Sequence, residues 1–182
     1  MQAKKKILAI NGSTRKNSGN HYLIKAIADI TKDRFEIQLY ESIATLPHFN
    51  PDEDHEEAAA AVKEFRQLLK NADGVIICTP EYAHGVPGSL KNAVDWTVGT
   101  NEFHQKPTLL ITASTDGRYG HAALLETLKV IEAKDIEQHN LLIQFVKTKV
   151  NAEHGITDEQ TFKAVLAILD SFENSIITNT TI

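Results

Sequence analysis

The sequence contains one cysteine, one tryptophan and one methionine in 182 residues, and aromatic residues make up only 7%. A lone cysteine, Cys78, excludes an internal disulfide and any multi-cysteine zinc or iron–sulfur site. No apolar run approaches the roughly 18 residues that span a bilayer, so no membrane insertion is expected. The segment Met1 to Ile10 carries three lysines and only a short apolar stretch, too short for a secretory signal core. There is no basic excess either: Lys plus Arg is 19 against 24 for Asp plus Glu, a formal charge of −5 that disfavours a dedicated nucleic-acid binder. The chain has no GxGxxG fingerprint and no P-loop ending in Gly-Lys-Ser/Thr. It also lacks HExxH metal spacing and a Ser-His-Asp order. What is present is an ordinary globular composition, 42% hydrophobic and 24% charged. The length favours a single domain over residues 1–182, and the expected compartment is the cytoplasm.

Five short apolar runs alternate with five helix-like segments, the pattern of an α/β fold with a parallel sheet. The first strand covers Lys6 to Ile10; a helix follows with Leu23, Ala26, Ile27 and Ile30 on one face. Phe35 to Tyr40 alternates apolar and polar residues, which places this second strand at a sheet edge. Two prolines keep Leu46 to Pro51 irregular, and a second helix runs from Glu56 to Asn71. The third strand, Gly74 to Thr79, and the fourth, Thr108 to Ala113, are continuously apolar, as strands covered on both faces should be. Ser89 to Val98 reads as the helix between them. Leu124, Leu128 and Ile131 stripe a further helix, followed by a fifth strand over Asn140 to Val146. Thr157 to Gln160 has capping-box spacing and opens a last helix carrying Phe162, Val165, Leu166, Leu169 and Phe172, with a frayed polar tail from Asn174. Right-handed crossovers and an edge second strand favour a flavodoxin-like three-layer sandwich, with five parallel strands in the order 2-1-3-4-5.

In such a sheet a ligand sits beyond the carboxyl ends of the strands, at the switch between strands 1 and 3. Three loops meet there. In Gly12 to Asn20, free N–H groups at a helix start and the hydroxyls of Ser13, Thr14 and Ser18 suit an anion, with Arg15 adding a charge-assisted contact. The alternative is that Ser18 only caps the helix while Gly12 and Gly19 ease turns. Pro80 to Gly88 holds two prolines and two glycines, a stiff loop whose exposed backbone can read the edge of a planar heterocycle. Tyr82 either packs against that ligand or, like Trp96, belongs to the core. Pro87 can simply start a helix. Ser114 to Gly120 reads as ordinary turn chemistry, with Ser114 a candidate cap. Of the eight histidines, His48, His55, His104, His139 and His154 read as surface residues, whereas His84 and His121 fall in the ligand loops. Cys78 reads as an inert small hydrophobe in a buried strand.

Gly12-Ser-Thr-Arg-Lys-Asn-Ser-Gly-Asn20 resembles the GSxRxxSxN signature of the NADPH-dependent FMN reductase family, which includes chromate, quinone and azo reductases. The segment from Pro80 to Trp96 is similar to that family's PEYxxxxPGxLKNAxDW block, and the likeness in element order runs from about Lys6 to Phe172. The resemblance implies that Ser13, Arg15, Ser18, Gly19 and Asn20 hold the phosphate of FMN. It implies that Pro80, Glu81, Tyr82 and Ala83 line the flavin, with Ser114 and Gly117 on its far side. His84, Tyr119 and His121 are the candidates for touching the nicotinamide of NADPH or NADH, or the electron acceptor. Ala83 stands where the family often has Asn, and His121 follows Gly120 where relatives often have paired glycines, which leaves substrate range open. Family members are dimers or tetramers, so a homodimer or homotetramer is expected; Lys91 and Asp95 either pair within their helix or reach a partner.

The absence of a protein nucleophile agrees with a cofactor enzyme, in which the flavin carries the chemistry and no catalytic side chain or metal is expected. The expected activity is oxidation of NAD(P)H with reduction of a small acceptor: a quinone, an azo or nitro aromatic, a metal oxyanion or free flavin. The rival reading is a flavodoxin-like electron carrier without its own NAD(P)H activity. Arg15 argues against it, because carriers of that kind usually seat the phosphate in a Thr/Ser-rich loop without arginine.

Overall fold

The computed structural model describes residues 3–55, 57–153 and 155–179. Five parallel strands form one sheet in the order β2-β1-β3-β4-β5: β1 Lys5–Asn11, β2 Phe35–Tyr40, β3 Gly74–Thr79, β4 Thr108–Ala113 and β5 Asn140–Ile143. The helices are α1 Gly19–Ile30, α2 Ala60–Asn71, α3 Gly88–Asp95, α4 Arg118–Val130 and α5 Glu159–Asn179. Every residue of β3 and β4 is buried, whereas β2 alternates and exposes Glu36 and Gln38. The architecture is the flavodoxin-like sandwich expected of the alternation.

The two-residue period of the strands divides the core into two layers. Leu8, Ile10, Val75, Ile77 and Leu110 face Val62, Phe65 and Leu69 of α2, Leu90 of α3, and Leu124 and Leu128 of α4. Ile7, Ala9, Ile76, Cys78, Leu109 and Ile111 face Leu23, Ile24 and Ile27 of α1 and Val165, Leu169, Phe172 and Ile176 of α5. Arg66 lies buried in α2, donating from Nε to the Trp96 carbonyl at 2.8 Å and from Nη2 to Asp54. Asn92 and Trp96, from the Pro80–Trp96 block, donate to the Pro47 carbonyl at 2.9 and 2.8 Å and so pin the irregular loop after β2.

Several boundaries differ from expectation. α2 begins at Ala60, and Glu56 lies outside the described residues. α3 starts one residue earlier and stops at Asp95, with turns to His104. β5 ends at Ile143 because its partner β4 ends at Ala113, which pairs with Ile143. The residues beyond turn away: Phe145 adopts φ 55°, and Val146–Thr148 form a 3-10 turn. A short antiparallel hairpin, β6 Val150–Asn151 and β7 Gly155–Ile156, was not foreseen. Asp158, not Thr157, caps α5, its carboxylate accepting from the Thr161 N–H at 2.8 Å. Phe162 is exposed. Through Asn179 the tail is helical and not frayed, α5 continuing past Asn174 with Ser175 and Ile176 buried; residues 180–182 lie outside the described residues. The reason is Gly74, where a Cβ would come within 2.8 Å of Phe172 and 3.0 Å of Ile176, so its missing side chain makes room for the helix. His139 is also a correction. It is buried, edge-on to Phe172, with Nε2 3.1 Å from the Ser171 hydroxyl. His48, His55 and His104 are exposed, and His154 lies outside the described residues.

Candidate active site

A cleft of about 430 Å³ opens at the carboxyl ends of β1, β3 and β4. Its walls include Ser13, Arg15, Asn17, Ser18, Gly19 and Asn20 from the first loop, Pro80, Glu81 and Tyr82 from the second, and Ser114 and Thr115 from the third.

The first loop leaves the sheet under tight control. Gly12 donates to the Cys78 carbonyl at 2.8 Å, and a Cβ on it would meet Thr79 Oγ1 at 2.5 Å, so only glycine fits this close approach. The Ser13 N–H donates to Asn11 Oδ1 at 3.0 Å and the Arg15 N–H to Ser13 Oγ at 3.3 Å. Ser18 is the N-cap of α1, its hydroxyl oxygen accepting from the His21 N–H at 3.1 Å. Capping uses that oxygen as an acceptor and leaves the hydroxyl proton to donate elsewhere. The backbone N–H groups of Thr14, Lys16, Asn17, Ser18, Gly19 and Asn20 make no hydrogen bond to any described residue. A row of unpaired donors at the positive end of a helix, with Arg15 beside it, has the chemistry of a phosphate seat.

The second and third loops are tied to each other. The Glu81 N–H donates to Ser114 Oγ at 3.3 Å, and the Glu81 carboxylate accepts from the Gly120 N–H at 2.7 Å. Tyr82 and Gly85 exchange backbone hydrogen bonds of 3.1 and 2.9 Å, closing a two-residue turn at Ala83 and His84. Both turn residues have positive φ, 48° and 56°, as a type I′ turn requires. Tyr82 stands 46% exposed, and is therefore not a core aromatic, unlike the fully buried Trp96. Asp116 accepts two hydrogen bonds from the Arg118 guanidinium, which with Gln144 holds its carboxyl below the usual range.

Five expected contacts, Ala83, His84, Gly117, Tyr119 and His121, lie outside the cleft walls. Ala83 and His84 form the turn above them, and His84 stacks on Tyr119 with ring centroids 4.4 Å apart. Gly117 is buried at the start of α4 with φ 89°, where a Cβ would meet Leu142 at 2.7 Å, so it shapes the loop from behind. His121 turns away from the cleft. Its Nε2 lies 3.0 Å from Asn140 Oδ1 and its Nδ1 2.9 Å from Thr112 Oγ1. Because Asn140 Nδ2 already donates to the carbonyls of Ile136 and Glu137, Oδ1 must face His121, which places the proton on Nε2 and leaves Nδ1 accepting from Thr112. Burial pushes the pKa of His121 down, against the opposing pull of Asn140.

One wall was missed. Val146, Lys147, Val150, Asn151 and Ala152 close the cleft beside α1 and bring a second cation to it. Gly19 packs on this wall: a Cβ there would lie 3.2 Å from Val146. The available signal was Val150 and Ile156 flanking a short polar stretch with Gly155, a hairpin pattern.

The residues present fit a flavin mononucleotide: unpaired donors and a guanidinium at one end for the phosphate, and loops tied by the Glu81–Ser114 and Glu81–Gly120 hydrogen bonds at the other for a planar ring. No group of three metal-ligating side chains occurs among the described residues. The family model for NADPH-dependent FMN reductases matches residues 5–148. An NADPH azoreductase from Bacillus sp. OY1-2 is 39% identical over 65% of this chain; the match spans 64% of that protein's length. A quinone reductase from Escherichia coli K12 is 31% identical over 94% of this chain and 95% of its own. Among solved structures, the NAD(P)H:acceptor oxidoreductase flavoenzyme FerB from Paracoccus denitrificans superposes with a TM-score of 0.79 at 29% identity, covering 96% of this chain and 98% of that one. The chain belongs to the NADPH-dependent FMN reductase family, whose cofactors are FMN and NAD(P)H.

Proposed function

We propose that this protein is a cytoplasmic, single-domain FMN enzyme that oxidises NADPH or NADH and reduces a small-molecule acceptor. The acceptor class is a quinone, an azo or nitro aromatic, a metal oxyanion or free flavin; similar proteins carry the names quinone reductase, azoreductase and flavin reductase. The observation that carries this reading is the row of unpaired backbone donors from Thr14 to Asn20 opening onto a cleft whose second and third loops are tied by hydrogen bonds. In this reading the loop N–H groups, the Ser13 and Ser18 hydroxyls and Arg15 hold the phosphate. Pro80, Glu81, Tyr82 and Ser114 orient the ring, with the Glu81–Gly120 and Glu81–Ser114 hydrogen bonds fixing the distance between the second and third loops. Bound FMN would supply hydride acceptance and donation. The exposed Tyr82 ring and the His84–Tyr119 stack form the rim at which nicotinamide and acceptor alternate. Exposed Phe145 is apolar surface that a second subunit would cover, in a homodimer or homotetramer.

Reconstitution with FMN, followed by steady-state assays with both nicotinamides and a panel of acceptors, tests the reading. A yellow protein with parallel-line kinetics supports it. A colourless protein that ignores added FMN overturns it. An FMN-loaded protein that needs a separate reductase would instead be an electron carrier.

A further inference from the structure

Asn20 reaches across the top of the sheet. It sits in the first turn of α1 and is buried, yet it borders the cleft. Its Nδ2 donates to the Ala113 carbonyl at the end of β4, 3.1 Å away, and its Oδ1 accepts from the Cys78 thiol in β3 at 3.2 Å. Cys78 is fully buried on the α1 face of the sheet, in register with Asn11. Thiols donate weakly, but here burial raises the thiol pKa, which keeps the proton on sulfur. A carbonyl that can only accept lies at one end of the amide and a thiol that donates at the other, so the amide has a single orientation.

That tether connects the parts a mononucleotide must touch together. α1 closes the loop that carries the unpaired N–H row, and Ala113 leads into Ser114, whose hydroxyl receives the Glu81 N–H of the second loop. The Asn20 amide is therefore a side-chain link between the phosphate end and the ring end of the cleft, beside the backbone link from Gly12 to Cys78. We propose that Asn20 is a positioning residue that sets this spacing, oriented by the Cys78 thiol, and not a phosphate ligand as the motif resemblance implied. The proposal rests on the FMN reading above and assigns Cys78 a task beyond filling space.

The test uses the purified chain stripped of flavin and titrated separately with FMN and with riboflavin, which lacks the phosphate, followed by quenching of flavin fluorescence. Asn20→Ala and Cys78→Ala are expected to weaken both flavins by similar factors, about tenfold and about threefold, the range of one or two lost hydrogen bonds. Cys78→Ser keeps a donor and is expected to restore affinity, while Arg15→Ala weakens FMN alone. An independent readout needs no flavin: the S–H stretching band belongs to Cys78 only, and Asn20→Ala should move it towards the free-thiol position. If Asn20→Ala weakens FMN but spares riboflavin, the residue is a phosphate ligand and the proposal fails. It fails equally if neither affinity nor the S–H band moves, or if Cys78→Ser is no better than Cys78→Ala. Should Asn20→Ala not fold, as judged by circular dichroism, the two Cys78 variants decide the matter. Should the wild-type chain bind no FMN, the cofactor reading falls, and the S–H band alone tests the tether.

Discussion

Arg15 and Ala83 illustrate how differently two loop residues act. Arg15 is exposed and makes no side-chain contact that anchors the fold, so Arg15→Ala is expected to lower FMN affinity about tenfold, the loss of one charge-assisted contact, and to leave the melting temperature unchanged. Equilibrium dialysis beside thermal denaturation measures both. Ala83 sits at φ 48° in a type I′ turn, a region that costs an alanine roughly 1 kcal/mol. Asn tolerates that conformation, so Ala83→Asn is expected to stabilise the protein by about 0.5–1 kcal/mol, a rise of about 1–4 °C in melting temperature. No change on calorimetry would mean that the turn relaxes around alanine. Nothing in the sequence marked Ala83 as strained. The positive φ belongs to the turn that the Tyr82–Gly85 pairing closes, and alanine at that position gives no sign of it.

At the scale of elements, sequence patterning was most informative where burial is two-sided. The unbroken apolar runs of Gly74–Thr79 and Thr108–Ala113 became the central strands, and alternation in Phe35–Tyr40 became the edge. It was least informative where one element ends because another does. β5 stops at Ile143 because β4 offers no further partner, and α5 outlasts its polar signal because Gly74 leaves a space for Ile176. The same limit hid the β6–β7 wall of the cleft: its two-residue strands carry too little periodicity, and only the turn pattern around Gly155 pointed to it. Gly74→Ala is accordingly expected to cost about 1–3 kcal/mol by forcing the end of α5 away from the sheet, measured by urea denaturation. An unchanged midpoint would show that the α5 end does not press on β3. Arg66, buried between Asp54 and the Trp96 carbonyl, is the corresponding anchor of the α2 layer. Replacing it with Ala leaves Asp54 without its cation and the carbonyl unpaired, a loss of about 3–5 kcal/mol on the same measurement.

Over the whole molecule, the distributed histidines set how stability responds to acid. His121 and His139 both have folded pKa values below the usual 6.5, chiefly because burial disfavours the imidazolium. Between those depressed values and 6.5 the unfolded chain binds more protons than the folded one, so stability rises with pH. The contribution is therefore complete above the unfolded pKa and is lost as the pH falls through 6.5 towards the folded values. The melting temperature is expected to fall between about pH 7.5 and 5.5, and His121→Gln to flatten that slope. A wild-type curve that is level until the carboxylates titrate would contradict this.

Two residues that occur once each lie on opposite sides of the sheet. Trp96 is packed in the layer with α2, α3 and α4, and Cys78 in the layer with α1 and α5. The chain thus carries two native, label-free probes, one optical and one chemical, each confined to its own half. Loss of tryptophan emission and gain of thiol reactivity can be followed in a single denaturant series. Coincident curves would mean that the halves melt together, and separated curves would identify the half that opens first.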